Sequence, residues 1–156
     1  EQHRSGAVAY ENVTVEGNVT LEGIDGRTVD MEITIRPKDK NAMYRKFSVW
    51  FAQNEKFKTT LSYKPYESTL KLDRKCSGSR RAYIHQRRCL VPENQGELKL
   101  RIILDKYSAE VFVNDGEQAA SFVIYTPLEA KSIQFVSDGM VVMDVEKYDL
   151  EMMTNA

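Results

Sequence analysis

The chain is 156 residues long, with 42% apolar and 29% charged side chains. That balance belongs to a globular domain with a sizeable buried core, not to a disordered or membrane-embedded chain. The formal net charge of −1 supplies no global field to recruit nucleic acid or an anionic membrane surface, and no apolar run approaches the length of a membrane-spanning helix. The only two cysteines, Cys76 and Cys89, are too few for a disulfide framework or a four-ligand zinc site. One bridge between them, or two reduced thiols, are both open readings. The first residue is Glu1, not a methionine, which fits an excised or processed piece of a larger enzyme.

In chain order, the first twenty or so residues carry two Asn-Val-Thr triplets, at Asn12 and Asn18. They match the glycosylation acceptor pattern, one that often goes unused. This stretch is the least committed to a core, and residues 1–28 are expected to be a linker and edge segment packing on a β-sandwich formed by residues 29–156. Val29, Met31, Ile33 and Ile35 then alternate with Asp30, Glu32, Thr34 and Arg36, the pattern of a strand with one dry and one wet face. Shorter β-rich stretches follow at 47–51, 59–63 and 69–72. Ser77-Gly78-Ser79 signals a turn. Leu98, Leu100, Ile102 and Leu104 repeat the alternation, and Ala109–Val113 continues it. Asn114-Asp115-Gly116 is a strong reverse-turn element because glycine supplies the positive φ such turns need. Phe122–Tyr125 and Ile133–Val136 read as strands, Ser137-Asp138-Gly139 as a further turn, and Val141, Met143 and Val145 as a closing strand. Helices should be few and short. Many short antiparallel strands with a turn every ten residues or so predict an all-β sandwich or barrel.

Catalytic chemistry is poorly supported. The two histidines, His3 and His85, lie near the terminus and among basic residues, without a marked Ser/His/Asp partnership. No phosphate-cradling glycine loop and no metal-ligand spacing occurs, so no cofactor is expected. Carboxylates are plentiful, but nothing singles out a pair of them for glycoside hydrolysis. A basic stretch runs from Lys71 through Arg74, Lys75, Arg80, Arg81, Arg87 and Arg88 to Lys99 and Arg101. Its plain reading is a solvated loop and sheet edge. Its functional reading is recognition of an anionic or polyhydroxyl ligand, with arginine donating paired hydrogen bonds. Tyr83 is a single interleaved aromatic where a nucleic-acid platform needs several.

If Asp105–Ser108 connects the strands 98–104 and 109–113, Leu104 faces Ala109, Ile103 faces Glu110 and Arg101 faces Phe112. Arg101 and Glu110 are then diagonal neighbours able to form an ion pair. That pair is either an ordinary cross-strand contact or part of a sugar-binding face built from a carboxylate, an arginine and an aromatic.

The run Leu98-Lys-Leu-Arg-Ile-Ile-Leu-Asp105, with Lys-Tyr-Ser-Ala-Glu110-Val-Phe-Val-Asn-Asp-Gly116 after it, closely resembles the C-terminal domain of β-fructosidases of glycoside hydrolase family 32. Leu70-Lys-Leu-Asp-Arg74 with Ser77-Gly78 is similar to the same domain's Leu-Asp-Arg-Ser stretch, and the likeness extends from about Asp30 to the C-terminus. The resemblance implies a two-sheet antiparallel β-sandwich (jelly-roll, concanavalin A-like). It also implies a catalytic propeller preceding this domain, whose Asn-Asp-Pro and Glu-Cys motifs are absent here. Similar domains, classed as carbohydrate-binding module family 66, recognise the terminal fructose of fructans. Others pack against the propeller or mediate oligomer contacts. Two departures stand out: the family's Asp-Arg-Ser-Ser turn is Asp105-Lys106-Tyr107-Ser108, and the serines expected after Arg74 are Lys75 and Cys76.

The resulting expectation is a non-catalytic accessory module that binds fructosyl carbohydrate through Asp73, Arg74, Arg81, Asp105, Tyr107 and Glu110, the acids accepting from and the arginines donating to sugar hydroxyls. Its partner would be the N-terminal catalytic propeller, with no metal, nucleic acid or membrane involved. The alternative is a structural domain that stabilises the propeller or mediates oligomer contacts without binding sugar. A polar pocket lined by these residues would favour binding, and a large exposed apolar patch the structural role. The compartment follows the parent enzyme: extracellular for fructan, cytoplasmic for sucrose phosphate.

Overall fold

A computed structural model describes residues 3–53, 58–76, 86–91, 94–114, 117–123 and 130–151. Ten antiparallel strands make up nearly all of it: β1 (His3–Val19), β2 (Val29–Pro37), β3 (Lys46–Gln53), β4 (Lys58–Lys64), β5 (Thr69–Cys76), β6 (Gln86–Leu90), β7 (Leu98–Asp105), β8 (Ser108–Val113), β9 (Glu117–Val123) and β10 (Ser132–Glu151). The one helical element among the described residues is a 3-10 turn at Pro65–Glu67 between β4 and β5.

The alternation read from the sequence sets the layers. Val29, Met31, Ile33 and Ile35 of β2, Leu98, Leu100, Ile102 and Leu104 of β7, and Ala109, Val111 and Val113 of β8 are buried. They share one core with Phe47, Val49 and Phe51 of β3, Leu61 and Tyr63 of β4, Leu70 and Leu72 of β5, and Phe135 of β10. Each Val, Leu, Ile, Met or Phe side chain among them contributes roughly 1.5–3 kcal/mol on leaving water, and a one-residue slip in any strand would turn its whole row outward.

Strand β10 divides the fold into two layers. Its first part, Ser132–Asp138, pairs with β3, and its second, Val141–Asp149, pairs with β2. Strand β1 runs along the other edge of both parts. Sheet I is therefore β6-β5-β4-β3-β10 and sheet II is β10-β2-β7-β8-β9, joined through the bent ribbon of β1 and β10. Together they form a two-sheet antiparallel β-sandwich.

The turn expected at Ser137-Asp138-Gly139 is instead a kink inside one continuous strand. Gly139 takes φ +100°, and Ser137 Oγ donates to its carbonyl at 2.7 Å. Neighbouring chain grips both sides of the kink: Arg45 N donates to Asp138 O at 2.7 Å and Lys38 N to Met140 O at 3.2 Å. The segment 1–28 contributes strand as well as connection, because β1 pairs along most of β10. Three register shifts bend it, between Ser5 and Val8, Tyr10 and Val13, and Val15 and Gly17, the usual way an edge strand is curved and its exposed edge blunted.

The β5–β6 register sets Cys89 opposite Leu70, whereas Cys76 ends β5. From residue 70 to residue 76 is about 20 Å of strand. The side chains of both cysteines lie outside the described ones.

Candidate functional site

Two surfaces carry concentrated polar chemistry. The first is the tip of the β7–β8 hairpin on sheet II. Asp105 pairs with Ser108 across the two-residue turn Lys106-Tyr107, and Leu104–Ala109, Ile103–Glu110 and Arg101–Phe112 face each other as the alternation predicts. The inward row is Leu100, Ile102, Leu104, Ala109, Val111 and Val113. Asp105, Ser108 and Glu110 therefore stand on the outer face, with Tyr107 54% exposed at the turn itself. Asp105 Oδ1 accepts from the Lys106 N–H at 2.7 Å, which fixes the carboxylate. The buried Arg27 holds the turn from below, its Nη2 donating to Lys106 O at 2.6 Å.

The segment around Arg27 also locates this tip relative to sheet I. Asp25 bridges to Ser132 and Gly26 N donates to Lys131 O at 2.8 Å. The tip is thus at the end of the sandwich where β10 begins. Sheet I's registers run β10 to β3 to β4 to β5 from that end, with Ser132 opposite Gln53, Phe51 opposite Thr59, and Lys58 opposite Cys76. The last residues of β5 close the same end. Asp73 is half-buried there, its Oδ2 3.9 Å from Lys71 Nζ. Arg74 follows in the strand, but its side chain is not among the described ones, and Arg81 and His85 lie outside the described residues.

The ion pair expected between Arg101 and Glu110 is not made. Arg101 turns to β2, donating from Nε to Asp30 Oδ1 at 2.9 Å and from Nη2 to Asp30 Oδ2 at 2.6 Å. The hydrogen bond to Asp30 holds its guanidinium pKa above the ordinary value, against the opposing effect of burial, with the charges of Asp30 and Glu32 adding to it. The reason is geometric. Asp30 pairs with Ile103, two residues from Arg101 along β7 and on the same face, so a planar fork meets a planar carboxylate across adjacent strands. Glu110 remains exposed.

The second surface was not anticipated: the outer face of sheet I. The residues between the core positions of β3, β4 and β5 are Lys46, Ser48 and Trp50; Lys58, Thr60, Ser62 and Lys64; and Thr69, Lys71 and Asp73. Cross-strand pairing of Trp50 with Thr60 and Asp73, and of Ser48 with Ser62 and Lys71, brings them into rows. The result is a groove of about 310 Å³. Its floor residue Ser62 is unusually buried for an outer face, 8% exposed, and its hydroxyl shares a hydrogen bond at 2.8 Å with that of Ser48, the buried neighbour on β3. Trp50, the only tryptophan of the chain, lines one side, and Lys58 Nζ lies 3.8 Å from its ring centroid, a cation–π contact worth about 0.5–1 kcal/mol at exposed sites. Of the six residues expected in a site, only Asp73 lines this groove. The signal that could have found it was the run of hydroxyl and lysine residues at outward positions of three successive strands, together with the single tryptophan.

A third polar cluster joins β1, β2 and β10. Asn12 N donates to Asp144 Oδ1 at 2.8 Å, Arg36 Nη1 to Asp144 Oδ2 at 3.1 Å, and Arg36 Nη2 to Asn12 Oδ1 at 2.6 Å. The Asn12 N–H, with help from Arg36, holds the Asp144 carboxyl below the usual carboxylate range despite the opposing effect of burial. Asn12 has φ +56°, and its amide is engaged in pinning the β1 bulge. No group of three or more metal-ligating side chains converges among the described residues, and no helix is long and apolar enough to cross a membrane.

The fold is shared with known enzymes at low sequence identity. An exo-inulinase from Aspergillus awamori superimposes with a TM-score of 0.74 at 20% identity over 94% of this chain and 29% of that one. A sucrose-6-phosphate hydrolase from Lactobacillus gasseri gives 0.72 at 18% identity over 95% and 28%, and a fructan 1-exohydrolase IIa from Cichorium intybus gives 0.73 at 12% identity over 95% and 36%. The chain therefore spans about a third of the length of the enzymes it matches. No curated protein matches it. The family model described as "Glycosyl hydrolases family 32 C terminal" covers residues 1–151, and the chain belongs to that family of C-terminal domains.

Proposed function

We propose that the chain is a non-catalytic accessory module of a β-fructosidase and that it binds fructosyl carbohydrate at the end of the sandwich formed by the β7–β8 tip and the end of β5. The observation that carries this reading is the tip itself. An exposed aromatic, Tyr107, stands beside two carboxylates, Asp105 and Glu110, on a hairpin fixed by Arg27. Carboxylates accept hydrogen bonds from vicinal hydroxyls while the ring offers an apolar face to the sugar. Asp73, Arg74 and Arg81 complete the proposed site from the β5 side, the arginines donating to the same hydroxyls.

The test is calorimetric titration of the chain with fructose, sucrose and levan, with glucose as control. Saturable heat with the fructosyl ligands alone is expected, and Glu110→Gln should abolish it while leaving the unfolding midpoint unchanged. Persistent affinity in that variant would place the site elsewhere.

A second reading is structural: the module braces a preceding catalytic propeller. It draws support from the chain's spanning only about a third of its structural relatives and from the exposed Tyr66 and Leu90. Leu90 pairs with Thr69, just past the 3-10 turn that holds Tyr66. Absence of heat with every sugar would favour this reading, and co-expression with the propeller would then test it.

A further inference from the structure

The groove on the outer face of sheet I has a chemistry of which the proposed fructosyl site uses only Asp73. Four ammonium groups, Lys46, Lys58, Lys64 and Lys71, line it with two carboxylates, Glu67 and Asp73. Lys71 lies 3.9 Å from Asp73, Lys64 lies 3.7 Å from Glu67, and Lys58 sits over Trp50. Phe47 pairs with Tyr63, so the residues flanking them, Lys46 and Lys64, stand opposite each other. Like charges directly across a strand pair repel. Asp138 faces Lys46 from β10, yet no ion pair joins them among the described residues. Two ammonium groups, Lys46 and Lys64, thus meet at one end of a concave site with Glu67 beside the second, while Lys58 lies at the Trp50 end.

The remaining lining is suited to a sugar. Ser62, its hydroxyl held by that of Ser48 beside it, forms the floor, Thr60 and Thr69 add hydroxyls, and the Trp50 indole bounds the end away from Lys46. The volume of about 310 Å³ is at the small end for ligand pockets. It suits one monosaccharide and its substituent rather than a polymer chain or a protein segment.

We propose that this groove is a second binding site, for a monosaccharide-sized polyhydroxyl ligand bearing one compact anionic group, a phosphate ester or a carboxylate. Lys46 and Lys64 hold the anion between them and so relieve their mutual repulsion. The sugar ring lies over the Ser62 floor toward Trp50, and Lys58 moves off the indole as the ring takes its place.

Because Trp50 is the only tryptophan, its emission and its single indole N–H resonance report this groove alone. The chain is titrated with glucose 6-phosphate, glucuronate, glucose and inorganic phosphate, and binding of labelled glucose 6-phosphate is counted by equilibrium dialysis. At least one of the two anionic sugars is expected to bind at least about tenfold more tightly than either glucose or phosphate, since charge-assisted hydrogen bonds add to those of the ring. That advantage should shrink as salt screens it. Lys46→Met with Lys64→Met, two exposed substitutions with little effect on folding, should remove it. The proposal is overturned if glucose or phosphate alone binds as tightly as both anionic sugars, if the double variant titrates like the parent, or if neither anionic sugar binds. Fructose titration of the same double variant keeps the two sites separable: it should be unchanged whether or not this groove binds anything.

Discussion

Arg101 on β7 and Asp30 on β2 are locked by two parallel hydrogen bonds of 2.9 and 2.6 Å, with the Asp30 side chain 3% exposed and that of Arg101 39%. Asp30 is on the outward row of its strand, and the guanidinium covers its buried carboxylate. Arg101→Met should cost about 3 kcal/mol, the usual range for breaking a largely buried pair by removing one partner. The loss would appear as a lower urea midpoint at unchanged slope. Asp30→Leu combined with Arg101→Met should recover more than half of it, because no buried charge is then left behind. A double variant as unstable as the single one would show that packing of the arginine stem, rather than charge, dominates.

Asp144 supplies a pH signature. Its carboxyl is held below the ordinary value by the Asn12 N–H and by Arg36, so the folded state favours the ionised form. The resulting stability is fully present above the unfolded carboxylate pKa of about 3.9 and is lost as pH falls through the lowered folded value. The side chain is 40% exposed, which limits the effect to about 0.5 kcal/mol. Asp144→Asn should therefore be slightly less stable than the parent at pH 7, with the difference vanishing in the acid limb below about pH 4. Denaturant midpoints measured across that range check it. A gap that persists undiminished at low pH would assign the effect to the amide's geometry.

Gly139 is where β10 leaves sheet I for sheet II. Its φ of +100° is one that side-chain-bearing residues rarely adopt, and a Cβ there would come within 2.8 Å of the Tyr44 Cα. Gly139→Ala combines backbone strain with a clash against main chain, which cannot rotate away. A cost of at least about 2 kcal/mol is expected, with a thermal midpoint lowered by several degrees. Gly17 is the control: it also has positive φ but open space around its Cβ position, so Gly17→Ala should cost distinctly less. Equal costs would mean that the backbone conformation alone matters.

What the sequence disclosed and what it withheld follow from the range of the interactions. The β7–β8 register was legible residue by residue, because period-two alternation on both sides of a two-residue turn leaves a single solution. The partner of Arg101 was not, since nothing local tells β7 which strand covers its other edge. Asp30 lies 71 residues away. The Gly139 kink was mistaken for a turn because Ser-Asp-Gly has the composition of one. Only the pairing of β10 with β3 before the kink and with β2 after it shows that the chain continues. The groove stayed hidden for a related reason. Lys46, Ser48 and Trp50 look like an ordinary solvated face until β4 and β5 are laid beside them, and the burial of Ser48 and Ser62 follows from that neighbourhood rather than from their own segments.

The contact between Lys58 and Trp50 offers a measurement that needs no ligand. With Nζ 3.8 Å from the ring centroid, the lysine shields one face of the indole, and its tethered charge sits where the excited state redistributes electrons. Lys58→Met keeps much of the apolar stem while removing the ammonium, and Lys58→Ala removes both. Emission of the single tryptophan should shift in both variants, whereas accessibility to acrylamide should rise only in Lys58→Ala. Neither should lose more than about 1 kcal/mol of stability, the scale of an exposed cation–π pair. Emission unchanged in both variants would mean that the ammonium spends little time over the ring in solution. The indole face would then already be open to whatever enters the groove.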